Sequence, residues 1–176
     1  MEEEYGKTLE AIQFAIQMEI DGKQYYQKAS RESVNKVGRE LFEWLAAEED
    51  KHRQRFEDIY NTIKEQKAWP EVSIQPRKGD ILNTLFSEAM RAGVTNVKAA
   101  GTELDTIAKA MEMENKTEKF YTSHGEGAAY DAEKKLYTSL AAEERGHYLA
   151  LVDYREYLVD PAGWFRKTEH HSLDGG

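Results

Sequence analysis

The chain carries one unit twice. LAAEEDKH at residues 45–52 returns as LAAEERGH at residues 140–147, shifted by 95 residues, with six of eight positions identical. AIQMEIDGKQYY, starting at Ala15, returns with the same shift as AMEMENKTEKFY, starting at Ala110. Met18 then matches Met113, Glu19 matches Glu114, and Tyr26 matches Tyr121. Two separate segments that share one offset mean two copies of one unit. A period this long does not suit a solenoid; it suits a duplicated helical hairpin.

Each copy reads as two helices. Ile12, Ala15, Glu19, Gly22 and Tyr26 recur at steps of three and four over roughly 7–29, and Ile107, Ala110, Glu114, Thr117 and Tyr121 do so over roughly 102–124. Such steps place each set on one helix face. A second helix is predicted over roughly 35–67, with Leu45, Glu49, His52 and Phe56 on one face. Its counterpart, roughly 128–159, carries Leu140, Glu144, His147 and Leu151. The three prolines, Pro70, Pro76 and Pro161, leave these stretches free to be helical. Gly125 and Gly127 are expected to separate the third helix from the fourth, and Pro161 to stop the fourth. Residues 68–101 join the halves, with a short amphipathic helix expected over 80–93. Residues 161–176 read as an extended tail docking through Trp164 and Phe165. The expected architecture is all-α: a four-helix bundle over residues 1–160, built from two similar hairpins joined by a long crossover with a short helix, then that tail.

Composition removes several function classes. A net charge of −9 argues against nucleic acid as partner, because phosphate binding needs a basic surface. The absence of cysteine excludes disulfides, iron–sulfur clusters, thiolate zinc sites and a thiol nucleophile. No apolar run approaches the ~20 residues of a membrane span. MEEEYGKT is acidic and lacks the apolar stretch of a secretory leader, so a cytoplasmic setting is expected.

The repeated segments hold a specific donor set. Glu49 with His52, and Glu144 with His147, are Glu-x-x-His pairs that share a helix face, and Glu19 and Glu114 come from the two other helices. A Glu from each of two helices plus Glu-x-x-His from each of the other two is the dimetal-carboxylate pattern of helix bundles. Two divalent cations cancel the charge of four carboxylates, and imidazole binds them neutral. One Glu-x-x-His on a surface helix is weak evidence. Two copies at matching repeat positions, with Glu19 beside Ala15 and Gly22 in an otherwise small or apolar stripe, do not read as a solvated face. Tyr26 and Tyr121 fit equally a hydrogen bond near the metals or a core aromatic with a polar tip. Glu118 can face the site or solvent; Glu112 is an extra carboxylate on the same helix. Glu48 and Glu143 adjoin the pairs but point about 100° away around the helix. His124, His170 and His171 read as surface residues.

Together AIQMEIDGKQYY, LFEWLAAEEDKH, AMEMENKTEKFY and LYTSLAAEERGH resemble the rubrerythrin branch of the ferritin-like superfamily. The resemblance implies a ferritin-like bundle with a non-haem di-iron site. Glu19 and Glu114 would be terminal ligands, Glu49 and Glu144 would bridge, and His52 and His147 would each cap one iron. It implies reduction of hydrogen peroxide, or dioxygen, in oxidative-stress defence. Two departures stand out. Full rubrerythrins add a four-cysteine rubredoxin domain, so an external donor such as a rubredoxin-like protein is expected here. The family often has a further glutamate one turn after the third-helix ligand, where this chain has Thr117. Manganese or zinc are possible substitutes for the two irons. Ferritin-type iron storage and a non-enzymatic metal-binding role are the alternatives. A homodimer is expected, and the long linker would let the hairpins exchange between chains.

Overall fold

The computed structural model describes residues 2–70, 101–164 and 166. Its four long helices are α1 (Glu2–Glu32), α2 (Lys36–Gln66), α3 (Gly101–Gly127) and α4 (Asp131–Val159). The expected crossover helix over 80–93, the tail beyond 166, and His170 and His171 lie outside the described residues.

Local chemistry sets the helix ends. Asn35 caps α2, its Oδ1 accepting from the Val37 N–H at 2.9 Å. Lys67 closes it in the left-handed region at φ 51°, donating its N–H to the Ile63 carbonyl. Gly125 does not break α3, which runs on to Gly127. Gly125 serves instead as a close-approach residue: a Cβ there would stand 3.4 Å from Thr138 Oγ1 and from Tyr137 Cβ on α4. Pro161 stops α4 but does not start an extended segment. Residues 161–164 are helical, with Asp160 Oδ1 accepting from the Gly163 N–H at 2.9 Å. Asp160 acts as an N-cap, and Pro161 takes the first helical position, where no N–H is needed. Trp164 then packs edge-on against Tyr157, with ring centroids 5.7 Å apart.

The core falls into two apolar clusters. One joins Tyr26 and Ala29 of α1, Leu41, Phe42 and Leu45 of α2, Ile107 of α3, and Leu151 and Tyr154 of α4. The other joins Ile12 and Ala15, Phe56 and Ile63, Tyr121, and Leu136 and Leu140. The C-terminal half of α1 thus shares a cluster with the N-terminal halves of α2 and α3 and the C-terminal half of α4. The helices therefore run up, down, down and up. That order requires a long crossover from the end of α2 to the start of α3, which is the ferritin-like arrangement. Between the clusters lies a layer of glutamate and histidine.

Candidate metal centre

Every helix contributes to that layer: Glu19 from α1, Glu49 and His52 from α2, Glu114 from α3, and Glu144 and His147 from α4. All six are buried, and Glu19, His52, Glu144 and His147 have no exposed surface. Their donor atoms form two overlapping groups, each within 4.8 Å: Glu19, Glu49, His52 and Glu144, and then Glu49, Glu114, Glu144 and His147. Glu49 and Glu144 belong to both. The two imidazoles are nearly parallel at 19°, with centroids 5.6 Å apart.

Distances within the layer are short. His52 Nδ1 lies 3.0 Å from Glu144 Oε1 and 3.6 Å from Glu19 Oε2. His147 Nδ1 lies 3.2 Å from Glu49 Oε1 and 3.4 Å from Glu144 Oε2. Yet Glu19 Oε2, Glu49 Oε1, His52 Nδ1 and both oxygens of Glu144 are buried without a hydrogen-bond partner among the described residues. Close but unpaired donors are what a shared cation would satisfy. Each such group left unsatisfied costs about 1–3 kcal/mol. A cation there removes the cost, and carboxylate with imidazole suits iron, manganese or zinc. The residues present therefore fit a pair of metal ions.

Without metal, protons must balance the charge. Burial, then the charges of Glu144, Glu19 and Glu114, push the Glu49 carboxyl well above its usual range. Burial and Glu144 push Glu114 up to about 8. Burial alone would lower the His52 and His147 pKa values, but the surrounding carboxylates outweigh it and raise both. Burial would also raise Glu144; the two imidazoles outweigh it and hold that carboxyl well below its usual range.

A further ring of contacts orients the donors. Tyr26 on α1 donates to Glu114 on α3, and Tyr121 on α3 donates to Glu19 on α1. The two readings of these tyrosines meet here: their rings fill the two core clusters while their hydroxyls reach the layer. Glu143, 100° off the ligand face of its own helix, turns out to face α2. Its Oε2 lies 3.2 Å from His52 Nε2, and its Oε1 accepts from Arg55 at 3.1 Å and Ser139 at 3.3 Å. Burial would raise its carboxyl, but His52 and Arg55 outweigh burial and hold it down to about 2. Glu48 is also buried and accepts from Lys51 at 2.9 Å. Neither joins a donor group, as their angle implies, but Glu143 reaches His52 all the same because a bundle helix packs on two sides. One signal was available: the first glutamate of AAEE, Glu48 and Glu143, recurs in both copies. Trp44 stands edge-on to His147, with centroids 5.4 Å apart. Glu112 is exposed, Glu118 is half-buried, and neither joins a donor group. His124 is half-buried rather than a surface residue, its Nδ1 2.9 Å from the Phe120 carbonyl and its ring 4.0 Å from Phe120.

Fold and donor set together match the pattern of the dimetal-carboxylate helical bundles. The chain belongs to the rubrerythrin family, whose model matches residues 10–153. No curated protein and no solved structure matches it. Among the described residues, no helix is long and apolar enough to cross a membrane.

Proposed function

We propose that this chain is a non-haem di-iron oxidoreductase that reduces hydrogen peroxide, or dioxygen, in defence against oxidative stress. The observation that carries the reading is the sharing of Glu49 and Glu144 between two buried donor groups. Glu49 and Glu144 would be shared by the two irons, with Glu19 and His52 completing one donor set and Glu114 and His147 the other. A diferrous pair held there would supply the two electrons that, with two protons, convert one peroxide to two waters.

The chain's own residues prepare the site. Tyr26 and Tyr121 hold the terminal carboxylates by hydrogen bonds. Burial, then the nearby carboxylates, raises both phenol pKa values well above the usual range, so both stay protonated donors at neutral pH. Glu143 keeps a proton on His52 Nε2 and leaves the Nδ1 lone pair for metal, as carboxylate–histidine pairs do in metal sites. The apolar clusters on either side exclude bulk water. Thr117 donates to the Met113 carbonyl at 3.1 Å, so its hydroxyl is engaged within α3. With no cysteine for a second redox centre, re-reduction needs an external donor such as a rubredoxin-like protein.

Stopped-flow mixing of the diferrous protein with peroxide tests the reading. One rapid reduction of about one equivalent per site, continuing only with an added donor, supports it. A diferrous form that ignores peroxide, yet oxidises and retains many irons per chain in air, replaces it with iron storage.

A further inference from the structure

The repeat keeps all six donors but changes the residue one turn after the first of them. Gly22 stands on α1 one turn after Glu19, where the second copy has Thr117. Glycine inside a helix is intrinsically unfavourable, so its place in the middle of α1 needs a local reason. The nearest atoms give one. A Cβ on Gly22 would stand 3.3 Å from Glu49 Oε2, 3.4 Å from its Cγ and 3.5 Å from its Cδ. All three belong to the end of one carboxylate side chain. Lys23, next to Gly22, pairs with Asp50, next to Glu49, at 2.8 Å. Asp50 is held in turn by Arg53 at 2.9 Å.

We propose that Gly22 is a positioning residue for Glu49, leaving one of the two shared carboxylates room to change its binding mode. A carboxylate that bridges two ions must adjust when their separation or charge changes. Gly22 gives Glu49 the space to do so, whereas a side chain, Thr117, stands at the matching position of the second copy. The inference rests on the dimetal reading above.

The test is Gly22→Ala, with Gly146→Ala as control, because nothing lies within 4 Å of a Cβ at Gly146. Cobalt(II) is titrated into each metal-free protein and followed by visible absorption; thermal melting is measured without metal. Metal-free Gly22→Ala melts at or above the native protein, since alanine favours the helix. Its second cobalt binds about tenfold more weakly, and the absorption of the loaded form changes. Native cobalt affinity and spectrum in Gly22→Ala overturn the proposal. So does a metal-free variant that melts well below native, since that makes Gly22 a packing residue only. If the native protein itself fails to take two cobalt ions, the dimetal reading falls, and this inference with it.

Discussion

Tyr26 of the first hairpin donates its hydroxyl hydrogen bond to Glu114 of the second, and Glu114 in turn reaches His147. A buried donor thus crosses the hairpin interface at the glutamate–histidine layer. Tyr26→Phe keeps the ring and removes only the donor. It should destabilise the metal-free protein by about 1–3 kcal/mol, the usual cost of an unsatisfied buried acceptor. Urea unfolding measures it, and an unchanged midpoint would show that the bond contributes nothing.

The charge layer makes the metal-free fold sensitive to pH in a definite sense. Glu114 rises from 4.5 to about 8, Glu49 is raised well above its usual range, and His52 and His147 are raised well above 6.5. A group whose folded pKa is raised stabilises the fold below its unfolded pKa, and that contribution is lost as pH climbs through the folded value. Glu143 runs the other way: held at about 2 against 4.5, it stabilises above 4.5 and loses this as pH falls through about 2. The metal-free protein should therefore lose melting temperature between about pH 5 and pH 8. The metal-loaded protein should not, because the ions replace the protons. A pH-independent melting temperature without metal would contradict this.

Glu143→Ala strips His52 Nε2 of its carboxylate and Arg55 of its partner. Metal affinity should fall about 10–100-fold, as when such supporting carboxylates are lost elsewhere. Glu118→Ala should leave it unchanged. Competition with a coloured chelator gives both numbers; equal losses in the two variants would remove Glu143 from the account.

Gly38 carries a different constraint. Glu103 accepts from Tyr154 at 2.7 Å and from Ser33, and all three side chains crowd the place of a Gly38 Cβ. Gly38→Ala should therefore destabilise by about 2–4 kcal/mol, through a displaced buried carboxylate, despite the better helix propensity of alanine. Calorimetry without metal measures it. A stabilised variant would mean that this buried cluster can move aside freely.

The donor set was legible because the repeat doubles each motif. Glu-x-x-His alone is common by chance, but Glu49/His52 and Glu144/His147 mark each other. What sequence left hidden concerns neighbours across helices. The repeat aligns Tyr26 with Tyr121 but does not say that each serves the glutamate of the other copy. Glu143 looked turned away because angle around one helix ignores the helix beside it. Gly125 looked like a breaker because propensity says nothing about how close α4 comes. The turn at 161–164 was missed although Asp160-Pro161 is a legible start signal.

The central claim is a buried pair of metal positions that share Glu49 and Glu144. Anaerobic titration of ferrous iron into the metal-free protein tests it most directly, with bound iron counted per chain in native protein and in Glu49→Ala. The account predicts that native protein saturates at about two irons per chain, and that the variant loses the pair. Saturation at one iron, continued uptake without an end point, or a Glu49→Ala variant that loads like the native chain would contradict it.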